Sequence, residues 1–296
     1  MSTPIEPVGP TGYADFAQSD TALRVVNPDD PPWGVLAGIG VWLTSFLLMV
    51  VFQVAFLLVY MVGKGVGLRE SGKAIQSDPT AVLLQVVSLI PVHLLTLGVA
   101  WLLVTGLGKR PFLASLGWEW DARFTLWRSA GLAVVLLAVG FLIIYLEGNP
   151  QTPLDKVLDS SRGAALVAAF LATATAPFVE EVVYRGVIYS PLQRVVGAGW
   201  AIFLVAASFA AVHIPQYYTS LGVIFTIFML SAVLTWVRAY TGKLLPCFVI
   251  HLVFNGIQSF FIVAGPYLER SAPHAPQPPP PDPALLALSR LFGLPL

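Results

Sequence analysis

The sequence predicts an all-α fold, a polytopic transmembrane bundle of about seven helices, within a range of six to eight, around a polar cavity. Composition indicates the class: 56% of the 296 residues are hydrophobic and 11% are charged, against about 25% charged residues in soluble domains. The mean hydropathy of +0.78 agrees with this. The number of helices follows from the apolar runs, because about 20 apolar residues span the hydrocarbon core as a helix.

Seven apolar segments follow one another and define a single membrane domain over residues 35–264. Pro177 interrupts the fourth segment, and we expect a kink there because proline removes one helical hydrogen bond. A flexible segment, residues 1–34, is predicted before this domain, and a Pro-rich tail, residues 265–296, after it. The segments are residues 35–62, 81–107, 129–146, 164–195, 200–214, 221–240 and 244–264.

Charge and cysteine content limit the partners and the orientation. The formal net charge is zero, so nothing indicates a nucleic-acid partner, and the lipid bilayer is the partner that the apolar runs predict. Cys247 is the only cysteine, which excludes disulfides within the chain and thiolate metal cages. Lys and Arg are slightly more frequent on the side of the N-terminus. The positive-inside rule thus predicts a multi-pass protein of the cell membrane, with the end of the fourth segment on the cytoplasmic side.

Two adjacent glutamates in the fourth segment are the first candidates for a functional site. One carboxylate at the centre of a membrane helix costs about 2.5–3.5 kcal/mol, so Glu180 and Glu181 need partners or water. Residues i and i+4 share a helix face, which pairs Glu181 with Arg185. Glu180 is rotated by about 100 degrees from Glu181 and faces elsewhere.

Two later segments contribute further polar residues. Phe209 and His213 are four residues apart in the fifth segment, and His251 and Asn255 are four apart in the seventh. This spacing puts each pair on one helix face. The domain therefore holds carboxylates, two imidazoles and an amide on three apolar segments.

These groups have the chemistry for hydrolysis inside a membrane. A carboxylate with a histidine can hold a water and accept its proton, the general-base half of the reaction. A histidine with an asparagine can donate to a developing oxyanion. Glu180, His213 and His251 could instead bind a divalent metal such as Zn²⁺, since two histidines and a glutamate form a catalytic zinc shell. The usual His-Glu-x-x-His signature of that shell is absent.

Purely structural roles could also explain these intramembrane polar residues. A lone intramembrane histidine or asparagine often only bridges two helices, and Glu181 with Arg185 can be a buried brace. His93 has no patterned neighbour and lies beside Pro91, so packing is favoured for it. Glu180 resists the structural explanation, because Arg185 cannot serve two carboxylates equally.

The three patterns together resemble the motifs of the CPBP (ABI) family of intramembrane proteases, which includes the type II CAAX prenyl endopeptidases. The family's motifs are Glu-Glu-x-x-x-Arg, Phe-x-x-x-His, and His-x-x-x-Asn or Asp. All three are complete and in order here, beginning at Glu180, Phe209 and His251, and the resemblance spans residues 164–264.

The resemblance implies a catalytic cavity inside a helix bundle and an endopeptidase that cleaves a membrane-associated protein or peptide. Glu180 would be the general base with His213, and His251 with Asn255 would stabilise the oxyanion. The supporting residues would be Glu181, Arg185 and Phe209. Family members are described both as metalloproteases and as glutamate-dependent enzymes, and this sequence fits either mechanism.

Two other classes of function stay open at this point. A non-enzymatic membrane scaffold, or an immunity-type protein, would bind a peptide or a partner protein in the same cavity. A transporter or proton relay would also use intramembrane Glu and His, but the chain has no internal repeat of the kind common in transporters. Replacing Glu180 by Gln separates enzyme from scaffold, because it removes the base and nearly keeps the shape.

Overall fold

The computed structural model describes residues 26–271, apart from the side chains of residues 74–77, 160 and 266–271. Seven helices in this range are long and apolar enough to cross a membrane, and no strand occurs among the described residues, so the predicted all-α multi-pass bundle is confirmed. These helices are α1 Val35–Lys64, α2 Pro79–Thr105, α3 Leu126–Glu147, α4 Arg162–Val196, α5 Ala198–Tyr217, α6 Leu221–Thr241 and α7 Leu245–Ser271. Three short helices connect them: Leu68–Ser77, Phe112–Ser115 and Pro153–Ser160.

Local sequence sets where the helices begin and end. At the start of α2, the Asp78 carboxylate accepts from the backbone N–H of Thr80 at 2.7 Å, and Pro79 lies in the first turn, where its missing N–H leaves no bond unmade. Ser220 caps α6 through a backbone N–H of the first turn at 3.1 Å. Helix α3 ends at Glu147 and is capped by Gly148, whose φ of 94° favours glycine.

Helix α4 is the centre of the bundle and packs against α1, α2, α5, α6 and α7. Two π-helical segments, Leu171–Thr175 and Val182–Tyr189, interrupt its α-helical hydrogen bonding. The predicted kink position, Pro177, lies two residues after the end of the first of them. The glutamate pair lies in the α-helical stretch between them, Ala176–Glu181. Because π-helical turns occur frequently at functional sites, the stretch between them is a candidate for a functional site.

Helix α1 and the residues before it pack closely against α4. Helix α1 approaches its second π-helical segment so closely that a Cβ on Gly38 would lie 2.9 Å from Val187 O. The indole N–H of Trp33, just before α1, donates to the same carbonyl at 3.1 Å. A separate apolar cluster that includes Leu137 and Ile250 joins α3, α6 and α7.

The connector between α2 and α3 is anchored at one point and exposed at another. Trp118 packs against Phe178 of α4 and Phe248 of α7, with ring centroids 5.3 Å and 5.0 Å away. Further along, Arg123 donates to both Asp121 oxygens, at 2.8 Å and 2.9 Å. These side-chain hydrogen bonds hold the pKa of Asp121 at about 2, well below its ordinary value.

The two predicted terminal segments are only partly covered by the described residues. Residues 1–25 and 272–296 lie outside them. Of the N-terminal segment, residues 26–34 are described and contact the bundle: Asp29 Oδ1 accepts from the buried Arg238 Nη1 at 2.6 Å, and Asp30 pairs with Arg194. A buried guanidinium needs such a partner, which ties this stretch to α6. At the other end, α7 continues to Ser271, beyond the predicted end of the membrane domain at residue 264.

Candidate active site

A chain of polar contacts links α4 to α7 inside the bundle. His251 Nδ1 lies 2.8 Å from Glu181 Oε1, and Arg185 Nη1 donates to the same oxygen at 2.9 Å. His251 Nε2 lies 3.6 Å from Glu180 Oε2. One histidine therefore stands between the two carboxylates that the sequence singled out.

The two glutamates differ in exposure, as their rotation on the helix predicts. The side chains of Glu181 and Arg185 are both 0% exposed, whereas that of Glu180 is 25% exposed. The Glu181 carboxylate is thus paired with buried neighbours. The Glu180 carboxylate stays partly exposed.

Arg185 is held from α6 as well as from Glu181. Its Nη2 donates to Ser231 Oγ at 2.6 Å and to Ser231 O at 3.0 Å, and its Nε donates to Thr235 Oγ1 at 3.3 Å. Its Cζ lies 5.0 Å from the centre of the Phe209 ring, within the range of a cation–π interaction. The guanidinium fork is therefore fixed on several sides, and it holds Glu181 in place for His251.

Phe209 lies between the two histidines of the motifs. Its ring centroid is 4.8 Å from that of His213 and 5.9 Å from that of His251. His213 Nδ1 lies 2.7 Å from Phe209 O, and because a carbonyl only accepts, Nδ1 carries the hydrogen. The Nε2 atom of His213 is then the nitrogen that remains for chemistry. Within residues 26–271, no direct hydrogen bond or ion pair joins His213 to Glu180.

Asn255 is tied to the first π-helical segment of α4. Its Nδ2 donates to Ala172 O at 3.0 Å. The preceding bond of this segment runs from Ala176 N to Leu171 O, so the next one would come from residue 177. Pro177 has no N–H, and the Ala172 carbonyl is left for a side chain. One of the two amide hydrogens of Asn255 is used in this way, and the other remains available.

The structure thus brings the predicted residues to one region of the bundle. Glu180, Glu181, Arg185 and His251 form one contact network, Phe209 connects His213 to it, and Asn255 contacts the same helix ahead of the glutamates. Their catalytic roles stay predictions.

Three polar residues near the site were missed by the sequence reasoning. Ser231 and Thr235 were not singled out, although two hydroxyls four residues apart in an apolar segment were an available signal. His93 was assigned to packing, but its Nδ1 lies 2.8 Å from Thr175 Oγ1 of α4. No pattern in the sequence connects those two residues.

The side chains present do not form a metal cluster. Among residues 26–271, no group of three or more His, Cys, Asp or Glu is placed to hold a metal ion. His251 Nδ1 is taken by Glu181, and Glu181 Oε2 is buried without a hydrogen-bond partner in the described part of the chain. The contacts at Nδ1 leave Nε2 of both His213 and His251 for a ligand, so the Zn²⁺ set of Glu180, His213 and His251 stays a prediction. The mechanism below is written with protein groups, and metal dependence is left to experiment.

An all-α multi-pass bundle with a buried carboxylate–histidine network at its centre defines a class, the membrane proteins with an intramembrane polar site. Residues 162–257, about a third of the chain, match the family described as Type II CAAX prenyl endopeptidase Rce1-like. This segment is therefore similar to CAAX prenyl endopeptidases, which confirms the resemblance drawn from the three motifs. The matched segment begins with α4, ends within α7 and includes every motif residue. No curated protein and no solved structure matches the chain.

Proposed function

We propose that the protein is an intramembrane endopeptidase that hydrolyses a peptide bond in a membrane-associated protein or peptide, with Glu180 as the general base. One observation carries the proposal. A part-exposed carboxylate lies 3.6 Å from a buried imidazole whose other nitrogen is bound to a second carboxylate at 2.8 Å. The match to a protease family supports the same class of reaction.

The first step is the attack of water on the scissile carbonyl carbon. Glu180 is the exposed member of the pair, so it accepts a proton from the water as the new C–O bond forms. A positioned base of this kind contributes about 10²–10⁴-fold in rate. His213 assists by accepting a hydrogen bond from the second water hydrogen at Nε2, because its Nδ1 hydrogen is bound to the Phe209 carbonyl.

The second step stabilises the charge that develops on the carbonyl oxygen. Glu181 accepts the Nδ1 hydrogen of His251 and so orients the ring, and a proton on Nε2 would let His251 donate to the oxyanion. Asn255 adds the amide hydrogen that Ala172 O leaves free. Glu180 then gives its proton to the leaving nitrogen, the C–N bond breaks, and a carboxylic acid and an amine are released, with the acid losing its remaining proton to solvent.

The proposal is tested by cleavage of a quenched fluorescent peptide library by the purified protein in detergent. Glu180→Gln and His213→Ala should each lower cleavage at least about 10²-fold. The matched control is Glu119→Gln, because Glu119 is 61% exposed and pairs with Lys243 away from the site. Full cleavage by Glu180→Gln would show that the base lies elsewhere.

A chelator arm addresses the mechanism. Cleavage that survives a strong chelator supports a glutamate-dependent reaction. Cleavage that is lost with the chelator and restored by added Zn²⁺ supports the metal alternative instead.

A second candidate function is a membrane scaffold that binds a peptide or partner protein in the same cavity. Its supporting observation is that His213 Nδ1 and Asn255 Nδ2 are both bound to backbone carbonyls, as in a structural polar network. Capture of a membrane peptide that is equal for wild type and Glu180→Gln, with no cleavage by either, would favour the scaffold.

We further propose that the chain lies in the cell membrane with the site toward the cytoplasmic face. Glu119 and Lys243 mark that end of the bundle, and Tyr218, which is 64% exposed, marks the other. Cys247 is buried and gives little background. An impermeant thiol reagent should label Tyr218→Cys in intact cells and Glu119→Cys only in opened cells. The reverse pattern would invert the orientation.

A further inference from the structure

His93 lies on α2, outside the segment that matches the family, yet it contacts the helix of the glutamates. Helices α2 and α4 pack against each other, and the bond between His93 Nδ1 and Thr175 Oγ1 is 2.8 Å long. Glu180 lies near enough to interact electrostatically with His93. A histidine that the sequence assigned to packing is thus part of the polar surroundings of the site.

The direction of this hydrogen bond follows from the neighbours of Thr175. The Thr175 hydroxyl donates its single hydrogen to Leu171 O at 3.3 Å, so it accepts from the Nδ1–H of His93. The hydroxyl thereby couples the imidazole of α2 to the first π-helical segment of α4. A residue at position 93 must carry a donor at the place of Nδ1 to keep this coupling.

The coupled segment is one that its own backbone holds poorly. Pro177 lacks the N–H that would bind Ala172 O, and Asn255 of α7 supplies a side-chain donor in its place. His93 therefore holds the segment from α2 while Asn255 holds it from α7. The next α-helical stretch begins at Ala176 and carries Glu180.

We propose that His93 is a positioning residue of the site: through Thr175 it fixes the π-helical segment that sets the place of Glu180 and of Asn255. The catalytic consequence of this role rests on the proposed endopeptidase function. The contact itself does not, which makes the two separable by experiment.

Four variants isolate the contact. His93→Leu removes the donor, Thr175→Val removes the acceptor and keeps the shape, and the double variant removes both. His93→Asn keeps a donor close to the position of Nδ1. The matched control is Thr44→Val on α1, which deletes a hydroxyl that bonds only to its own helix, at Gly40 O.

Two readouts are taken on the full-length protein in detergent. Hydrogen–deuterium exchange of residues 171–180 reports whether the segment is held, and it needs no protease activity. Peptide cleavage then gives kcat and KM. We expect faster exchange in His93→Leu and in Thr175→Val, and kcat lowered about 10- to 100-fold with KM within about twofold, because a small misplacement of a catalytic group costs up to about 10² in rate.

Coupling and rescue distinguish positioning from general damage. The double variant should be no worse than either single variant, since both remove the same contact, and His93→Asn should restore most of kcat. Unchanged exchange in the single variants, multiplied effects in the double variant, or unchanged kcat despite faster exchange would each overturn the proposal. If the wild type cleaves no peptide, the proposed function fails, and the exchange measurement alone decides whether His93 holds the segment.

Discussion

Arg185 is the position where loss of one side chain should cost the most stability. It is fully buried, pairs with the equally buried Glu181 at 2.9 Å, and donates to Ser231 Oγ at 2.6 Å. Arg185→Met keeps much of the side-chain volume but leaves the Glu181 carboxylate buried with only His251 beside it. Breaking a buried ion pair from one side costs about 3–5 kcal/mol, which is roughly 10²- to 10⁴-fold in the unfolding equilibrium.

Removing both partners should cost less than removing one. Glu181→Leu combined with Arg185→Met leaves no unpaired charge, and such double replacements are often close to neutral. The remaining cost is the Nδ1–H of His251, which loses its acceptor, about 1–3 kcal/mol. We expect this double variant to be more stable than Arg185→Met and still inactive, because His251 is no longer oriented.

The assay is reversible unfolding in mixed detergent micelles, followed by circular dichroism, with cleavage measured on the same samples. Arg123→Met is the control, since it breaks an exposed pair with Asp121 and should shift the midpoint little. A free energy of unfolding for Arg185→Met within about 1 kcal/mol of the wild-type value would refute the reasoning. A double variant that is less stable than both single variants would refute it as well, because the two charges would then not depend on each other.

Three further changes test other contacts. Asn255→Ala should lower kcat about 10²-fold through loss of an oxyanion donor. It should also destabilise the protein by about 1–3 kcal/mol, because Ala172 O is left unpaired. Steady-state kinetics and micelle unfolding measure the two effects, and an unchanged kcat would contradict the assigned role. Pro177→Ala returns an N–H that competes with Asn255 for the Ala172 carbonyl, so kcat should fall while the unfolding midpoint holds or rises; a fall in both would count against this account. Gly38→Ala places a Cβ 2.9 Å from Val187 O, so unfolding measurements should show a loss of about 1–3 kcal/mol, and a neutral result would mean that α1 can move away.

Some contacts of the site could be predicted because they lie within one helix. The pairing of Glu181 with Arg185 follows from a spacing of four residues, and the exposure of Glu180 follows from its rotation on the same helix. The motif residues Phe209 and His213 also meet through that spacing. Each of these depends only on helical geometry, which the apolar length of the segments already indicates.

Other contacts could not be predicted because they join distant parts of the chain. His251 meets Glu181 across 70 positions, and His93 meets Thr175 across 82. The acceptor for Asn255 depends on a π-helical turn, and a proline alone predicts a kink without saying which carbonyl becomes free. Residues 26–34 show the same limit, since their Pro- and Asp-rich composition predicts a loop but not its contact with Arg238.

The sequence by itself determined the membrane class, the seven spanning helices and the three motif segments, because apolar length and helical spacing are local properties of the chain. The tertiary structure alone decided that α4 lies at the centre, that His251 stands between two carboxylates, and that α2 contributes His93. The physical reason is that the face each helix turns to its neighbours is set by the packing of all seven together. Contacts between helices depend on that packing, and no single segment encodes it.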